Sequence, residues 1–302
     1  MQINNYKLFV FDELDSTNSE AIRIAQSQKP NINCAVLAKS QTRGRGRSGK
    51  SWQSSTGNLH ASLLIKPNKE LELLPQLSFV TALAVYDSIE SSLQEKTASF
   101  DEVSMQQHLR RNDRIQLNSQ SFRQDEFKAE PAERIKIREH RRMSQNSLAS
   151  SFVNDAVRLK WPNDVLINGK KISGILLESV KVDDDYYLII GIGINITYHP
   201  ENIDQPTTSL SAANLPITEP QVLLEILIDN FEKYYQIWKK EGFASIRKKW
   251  LQHAYKLHKN ISVKYQNEII HGIFKDIDST GKIILQLPSN KILSLSTAEL
   301  SF

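Results

Sequence analysis

The sequence predicts an α/β fold in which a large domain precedes a small all-β tail. Strand-like apolar runs alternate with helices of amphipathic period through residues 1–93 and 156–257. An Asn-Gly pair between two apolar runs, beginning at Asn168, predicts a β-hairpin in the larger domain. Residues 258–302 contain only short strands separated by turns. A chain of 302 residues can bury a substantial core, and two domains are expected at this length.

The elements follow from local patterns. Thr17 and Glu20 have the spacing of a capping box, which predicts that a short helix begins there. Helices are predicted over 21–26, 75–93, 219–240 and 243–258, and strands over 8–13, 34–38, 59–65, 186–196, 261–265, 272–277, 283–287 and 293–295. Aromatic residues on the last two helices are interpreted as core: Phe231, Tyr234, Tyr235, Trp238 and Trp250.

The predicted hairpin places an acid beside an amine. With Asn168 and Gly169 in the turn, Leu166 faces Lys171 and Asp164 faces Ser173. Paired residues share a face of the sheet, so these polar side chains project from one side. The pair forms either a site on a rigid surface or an exposed salt bridge.

Residues 94–155 interrupt the pattern. This segment contains no glycine, and its apolar residues occur singly among many charges. Such a stretch predicts a mobile insert, in which residues 134–142 would form a charged helix. The large domain is therefore expected over 1–257, interrupted by this insert, and the tail over 258–302.

Composition limits the functional classes. The net charge of +4 implies no general affinity for nucleic acid. The single cysteine, Cys34, rules out an internal disulfide framework and fits a reducing compartment. The N-terminus lacks the apolar core of a signal peptide, and no run of about 18 apolar residues occurs. A cytoplasmic protein without a membrane partner is expected.

The segment 41–52, called here the cationic loop, contains several glycines and several positively charged side chains. Its glycines let backbone N–H groups converge, and its Arg and Lys side chains bring positive charge, a combination that suits a phosphate or a carboxylate. Gly44 to Ser51 also satisfies the Walker A pattern. However, turn residues and a strand follow instead of a helix, so the loop is expected to join two strands. A solvated basic loop is the remaining alternative.

Two glycines interrupt a nearly continuous apolar strand at Gly191 and Gly193. Glycine weakens a buried strand and often marks the close approach of a ligand or another backbone, and the same argument applies to Gly174. Asn195 follows, and its amide offers the donor and acceptor that an adenine edge requires.

Five motifs in one order carry a family resemblance. They are Asp-Ser-Thr-Asn (15–18), Gln-x-x-Gly-Arg-Gly-Arg-x-Gly (41–49), Lys-Trp-Pro-Asn-Asp (160–164), Lys-x-x-Gly-Ile-Leu-x-Glu (171–178) and Gly-x-Gly-Ile-Asn (191–195). The chain resembles the biotin–protein ligases over most of 1–93 and 156–302. The resemblance implies a catalytic domain like that of class II aminoacyl-tRNA synthetases, followed by a small SH3-like C-terminal β-barrel.

The resemblance also implies a two-step ligase reaction. Biotin and ATP, with Mg²⁺ shielding the triphosphate, would give biotinyl-5′-AMP, and a lysine of a biotin carboxyl carrier domain would then take the biotin. By the same resemblance, the catalytic residues would be Lys171, Arg47 and Asp164. Biotin would be bound by Ser16, Thr17, Asn18, Gln41, Gly44, Arg45, Gly46, Arg47, Lys171, Gly174 and Gly191. The nucleotide would be bound by Arg45, Arg47, Lys50, Asn163 and Asn195.

The sequence departs from the family pattern in two places and leaves alternatives open. Lys50 stands where the family usually has Arg. The positive charge is kept, but the two parallel hydrogen bonds that a guanidinium can make to a phosphate are lost. The insert at 94–155 is also unusual. Ser16 lies too near the N-terminus to leave room for a DNA-binding helix-turn-helix, so a monofunctional enzyme is expected, as a monomer or weak homodimer and without a DNA partner. A lipoate ligase, a P-loop NTPase and a nucleic-acid binder are the alternatives.

Overall fold

A computed structural model describes residues 2–67, 70–91, 156–201, 203, 205–266, 268–296 and 299–301. The chain divides into two compact units. One comprises Met1–Ile89 and Val157–Phe302, and the other is Glu90–Ala156. Of the second unit, only residues 90, 91 and 156 are described. The predicted insert at 94–155 and its charged helix therefore lie outside the described residues.

An eight-stranded sheet forms the body of the first unit. Its order is β1-β2-β3-β4-β8-β7-β6-β5, and β2 and β3 are parallel whereas the other neighbours are antiparallel. The strands are β1 Gln2–Ile3, β2 Tyr6–Leu14, β3 Asn33–Gln41, β4 Leu59–Ile65, β5 Val157–Lys160, β6 Asp164–Ile167, β7 Lys170–Val182 and β8 Asp185–Ile194. All seven residues of β4 are buried, as expected of a central strand that is covered on both faces.

Helices cover the two faces of this sheet unequally. On one face, α1 (Thr17–Gln28) packs Ala21, Ile24 and Ala25 into an apolar cluster with side chains of β3, β4 and β8. On the other side, α3 (Pro220–Glu241) contacts β4, and Glu232 accepts a hydrogen bond from Tyr6. The helical residues 77–91, called α2 here, pair with α3 through Asp87, which accepts hydrogen bonds from α3 side chains. A part of the first face lies beyond the N-terminus of α1, and this part holds the candidate site.

The helix α3 forms because its apolar residues recur at helical spacing. Pro220 occupies its first turn, where a missing N–H costs nothing, and Gly242 ends it with φ of 76°. The next helix, α4, spans Phe243–Gln252, shorter than the predicted 243–258. The predicted aromatic core is confirmed, because all five side chains are buried: Phe231, Tyr234, Tyr235, Trp238 and Trp250.

The tail forms a second, antiparallel sheet of five strands, in the order β12-β11-β10-β9-β13. The strands are β9 Asn260–Tyr265, β10 Glu268–Ile277, β11 Ile283–Gln286, β12 Ile292–Leu295 and β13 Glu299–Ser301. The sequence predicted all of these except β13. Trp161 donates a 2.9 Å hydrogen bond to the backbone oxygen of Gly281, which fixes the turn after β10 to the larger sheet.

Of two local predictions, the capping box was wrong for a tertiary reason and the hairpin turn was correct. The capping box does not form, because Thr17 is the first residue of α1 and its side chain turns toward Gln41, while Glu20 pairs with Arg23. The hairpin turn forms as predicted, with positive φ at both Asn168 and Gly169.

The hairpin register is correct only next to the turn. Leu166 pairs with Lys171, but a bulge then shifts the pairing, so that Asp164 lies opposite Gly174 instead of Ser173. Ser173 pairs with Val165 and, by strand alternation, points to the opposite side of the sheet.

Among the described residues, no helix combines the length and the apolar character needed to cross a bilayer.

Candidate active site

The floor of the site is a patch of sheet in which two positions of β8 are glycines. Gly191 and Gly193 of β8 pair with Ser62 and His60 of β4, so all four share one face of the sheet. A Cβ atom at Gly191 would lie 2.9 Å from Asn18 Cγ, too close for any real contact. The glycines predicted a close approach correctly, and the groups that approach them are side chains of the protein.

The indole of Trp52, from the cationic loop, lies on the neighbouring part of this floor. A Cβ atom at Gly193 would lie 2.5 Å from Trp52 Cζ2, and one at Gly174 would lie 3.0 Å from Trp52 Cζ3. Lys171 Nζ is 5.6 Å from the centre of the Trp52 ring. The cationic loop and the hairpin therefore meet over one surface.

A polar network surrounds Asn18 at one end of the floor. Gln41 Oε1 accepts from the Thr17 backbone N–H at 2.7 Å and lies 3.2 Å from its hydroxyl. Ser62 Oγ lies 2.6 Å from Asn18 Oδ1, and Asn18 Nδ2 donates to Glu178 Oε2 at 2.7 Å. Because each amide atom already has a partner, the Asn18 side chain is held in one orientation.

Lys171 and Asp164 form the other end. Lys171 Nζ lies 2.6 Å from Asp164 Oδ1, and both side chains are largely buried. The backbone of Lys171 is held as well, because its N–H donates to Pro206 O at 2.8 Å and its carbonyl accepts from the Thr208 N–H at 2.9 Å. The predicted acid–amine pair exists, and it is a rigid pair rather than an exposed salt bridge.

The cationic loop is a small hairpin. Arg45 pairs with Ser51, and the Gly46 N–H donates to Lys50 O at 2.7 Å. No helix follows Ser51 before β4 begins at Leu59, so the Walker interpretation is wrong.

Two arginines of the loop reach the sheet at separate points. Arg47 Nη1 donates to Asn163 Oδ1 at 2.9 Å. Arg45 donates to Glu178 Oε2 and to Ser19 Oγ, each at 2.7 Å. The loop thereby places one guanidinium beside each polar end of the floor.

Asn195 is held at the edge of the site by a neighbouring segment. Its Nδ2 donates to Thr208 O at 3.0 Å. Asn58 Oδ1 accepts from three consecutive backbone N–H groups, of Ile196, Thr197 and Tyr198, at 3.0 to 3.1 Å. Asn58 therefore shapes the chain immediately after Asn195.

Several buried polar atoms around the floor have no hydrogen-bond partner within the described part of the chain. They are Trp52 Nε1, His60 Nδ1 and Asn195 Oδ1. Buried polar groups in native proteins are nearly always paired with protein atoms, water or a ligand, so these three atoms are available for hydrogen bonds to a bound molecule or to water.

The structure gathers most of the predicted residues around this floor. Those in direct contact with it or with one another there are Thr17, Asn18, Gln41, Gly44, Arg45, Arg47, Asn163, Asp164, Lys171, Gly174 and Gly191. Ser16 is buried beside them as the residue that precedes α1, and Gly46 and Lys50 close the loop hairpin, with Lys50 exposed. Asn195 lies at the strand end.

The sequence interpretation missed several residues of the site. Ser62 and His60 carried a signal, since polar side chains are unusual in a buried strand. Asn58 and Thr208 carried none, because their partners are distant in sequence or lie on loops. Glu178 was part of a motif but had no assigned role.

A resident metal ion finds little support in this geometry. Among the described residues, no group of three His, Cys, Asp or Glu side chains could hold a metal ion. The carboxylates at the floor, Asp164 and Glu178, are already paired with Lys171 and Arg45.

We expect stability to fall at mildly acidic pH because of His60. Burial lowers the pKa of His60 below its ordinary value of 6.5. Below that pH the unfolded chain binds a proton that the folded chain does not, so the free energy of unfolding decreases as pH falls. At pH 5.5 one such histidine costs at most about 1.4 kcal/mol. Urea unfolding at pH 7.5 and 5.5 measures this loss.

The matched variant is His60→Gln, whose side-chain amide can still donate to Ser55 O. It should show a smaller loss between the two pH values. Some dependence of stability on pH should remain in this variant, because burial also lowers the pKa of His253. Equal losses in wild type and variant would show that His60 is not responsible.

The sequence matches two family models and a curated relative. Residues 10–195 match the Biotin/lipoate A/B protein ligase family, and residues 257–302 match the Biotin protein ligase C terminal domain. The chain is 30% identical over 285 residues to the biotin–[acetyl-CoA-carboxylase] ligase of Paracoccus denitrificans, covering 92% of this chain and 93% of that protein.

Solved structures show the same fold. A biotin protein ligase from Aquifex aeolicus in complex with biotin and ATP superposes with a TM-score of 0.66 at 22% identity, covering 98% of this chain and 97% of that one. A biotin protein ligase from Leishmania major in complex with biotinyl-5-AMP gives a TM-score of 0.56 at 22% identity, covering 96% and 99%. At these identities the likeness establishes the fold alone.

Proposed function

The chain belongs to the biotin/lipoate A/B protein ligase family, and we propose that it acts as an ATP-dependent biotin protein ligase. In the first step, a biotin carboxylate oxygen attacks the α-phosphorus of ATP, the bond to the β-phosphate breaks, and pyrophosphate leaves. In the second step, a carrier lysine amine attacks the acyl carbon of biotinyl-5′-AMP. An amide forms, AMP leaves with the bonding electrons, and the amine loses a proton to water.

The observation that carries this proposal is the meeting of the cationic loop and the hairpin over one floor. Gly191 and Gly193, two residues apart on β8, lie about 7 Å from each other. Asn18 lies at one of them, and Trp52 lies between the other and Lys171. A polar end and a cationic end at this separation suit an extended acid whose ring and carboxylate need different partners.

The polar end is proposed to bind the ring of biotin. The ureido group has N–H donors and a carbonyl acceptor, and the hydroxyl and amide groups of Ser16, Thr17, Asn18 and Gln41 can complement both. Gly44 lets the loop lie close to Gln41, and Trp52 supplies an apolar wall.

The cationic end is proposed to stabilise the reacting groups. Both steps concentrate negative charge on the carboxylate and the α-phosphate, where fixed positive charges are most effective. We assign that role to Lys171 and Arg47, with Gly46 and Lys50 closing the loop over the phosphates. Arg45, which bonds to Glu178 and Ser19, is assigned to the biotin end. Asp164 holds the ammonium of Lys171 in place and is well located to orient the incoming lysine.

The adenosine is proposed to lie against Asn163 and Asn195. Both are buried side-chain amides near the cationic end, and the unpaired Oδ1 of Asn195 can accept a hydrogen bond from the adenine amino group. We propose that Mg²⁺ arrives with ATP as part of the substrate, since Mg²⁺ commonly binds through phosphates with few protein ligands.

The finer architecture is proposed from the family. We infer a catalytic domain over 1–257 related to class II aminoacyl-tRNA synthetases, with an insert at 94–155, and an SH3-like module over 258–302. The match of residues 257–302 to a separate C-terminal family supports this boundary.

The proposed acceptor is a biotin carboxyl carrier protein or domain. We propose a cytoplasmic enzyme without a DNA partner, acting as a monomer or weak homodimer. Single-turnover transfer from preformed biotinyl-5′-AMP to candidate carrier domains would rank the acceptors.

One experiment tests the function directly. Purified protein is mixed with MgATP, a biotin carboxyl carrier domain, and either biotin or lipoate, and the carrier is weighed by mass spectrometry. We expect one added biotinyl group and no added lipoyl group. A lipoylated carrier, or a carrier of unchanged mass while ATP is hydrolysed, would contradict the proposal.

A further inference from the structure

Glu178 joins two parts of the site through one oxygen atom. Its Oε2 accepts from Asn18 Nδ2 and from Arg45 Nη2, both at 2.7 Å. Asn18 belongs to α1 and lies on the glycine floor, whereas Arg45 belongs to the cationic loop. The carboxylate of Glu178 is therefore the shared acceptor of a fixed residue and a loop residue.

The strand positions Glu178 for this contact. Gly174 and Glu178 lie four residues apart on β7, so both face the same side of the sheet as the floor. The side chain of Glu178 is 31% exposed, and its hydrogen bonds are charge-assisted and therefore stronger than neutral ones.

The contact fixes the orientation of Asn18. Ser62 Oγ can donate to Asn18 Oδ1 only while Nδ2 points the other way, toward Glu178. A carboxylate accepts hydrogen bonds and donates none, so it selects this orientation of the amide. Loss of the carboxylate removes the reason for Asn18 to present its oxygen toward Ser62.

The contact also attaches the loop. Arg45 reaches from the loop to Glu178 on β7 and to Ser19 on α1. Glu178 also accepts from Asn18, so the position of the loop and the orientation of the amide depend on the same acceptor.

We propose that Glu178 is a positioning residue that sets the biotin end of the site before substrate binds. The proposal rests on the proposed function. Glu178 acts through Asn18 and Arg45 and is not assigned a contact with the reacting atoms. Its removal should therefore weaken biotin binding and loosen the loop while leaving the phosphoryl chemistry largely intact.

The principal test is Glu178→Gln, measured by biotin-dependent exchange of pyrophosphate into ATP. We expect the KM for biotin to rise about five- to tenfold, as for a charge-assisted pair that is partly exposed, with kcat and the KM for ATP within about twofold of wild type. Glu178→Ala should raise the KM for biotin further. The matched control is Glu20→Gln. It removes a carboxylate whose Oε2 lies 2.6 Å from Arg23 Nε, in an ion pair that does not involve the floor.

A double variant separates positioning from a general structural role. In an Arg45→Ala background, Glu178→Gln should cause a smaller further rise in KM, because one of its two partners is already absent. Full additivity of the two effects would overturn the coupling.

Amide hydrogen exchange without any ligand gives a second readout. The loop N–H groups of Gly46 and Trp52 should exchange faster in Glu178→Gln than in wild type or Glu20→Gln. An unchanged biotin KM and unchanged loop exchange in Glu178→Gln would overturn this inference and leave the function standing. Wild-type protein without biotin-dependent exchange would overturn the proposed function and the substrate-binding part of this inference, and loop exchange would still decide the positioning part.

Discussion

Replacing Lys171 with Ala should lower the rate of biotinyl-5′-AMP formation by about a thousandfold or more, as for the loss of a fixed charge at a developing anion. The Lys171 ammonium lies over the floor between Trp52 and Asp164, and its backbone is held on both sides. Rapid-quench measurement of adenylate formation under saturating biotin and ATP tests the prediction.

The variant also leaves Asp164 buried without its partner, which by itself costs stability. Lys171→Arg separates the two effects, because it keeps a positive charge beside Asp164 but replaces a compact ammonium with a planar fork. We expect Lys171→Arg to unfold near the wild-type temperature and still lose about a hundredfold in rate.

The matched control is Lys170→Ala, one residue away on the same strand and exposed. It should retain the wild-type rate. If Lys171→Ala formed adenylate within tenfold of wild type, the central electrostatic role of Lys171 would be wrong.

Local patterns were sufficient for much of the fold. The hairpin turn was predicted because Asn168 and Gly169 accept positive φ, and the core face of α3 was predicted because its apolar residues repeat at helical spacing. The two glycines of β8 indicated a close approach for a sound physical reason.

The errors arose where a distant residue decides a local conformation. The capping box at Thr17 was lost because Gln41, at the end of β3, offers the hydroxyl and the N–H of Thr17 a better-placed acceptor. The bulge places Gly174 instead of Ser173 opposite Asp164 and turns Ser173 to the other face, and no local pattern in the hairpin indicates it.

The candidate site shows the same limit. The structure brings the motif residues Lys171, Arg47 and Asn18 together around the floor, yet the sequence interpretation missed several of the partners that orient them. Glu178 meets Asn18 across 160 positions of sequence, so only the folded chain reveals the contact.

Replacing Gly191 with Ala should abolish productive biotin binding. The new methyl group would occupy the space of the Asn18 amide, with its carbon 2.9 Å from Cγ and 3.0 Å from Nδ2. Asn18 cannot move aside without breaking its hydrogen bonds to Glu178 and Ser62. We expect the KM for biotin to rise about a hundredfold and stability to fall by about 1–3 kcal/mol, the usual cost of overpacking.

ATP binding provides the internal comparison, because Asn163 and Asn195 lie at the other end of the floor. A non-hydrolysable ATP analogue should bind Gly191→Ala with nearly wild-type affinity by calorimetry. Adding Asn18→Ala should restore much of the lost stability, since the clash disappears, but it should not restore biotin affinity, since the amide is gone. Recovery of stability without recovery of biotin affinity is the result expected if Asn18 binds biotin directly. If the double variant instead regained biotin affinity along with stability, Asn18 would be a packing residue, and the ring of biotin would have to bind elsewhere.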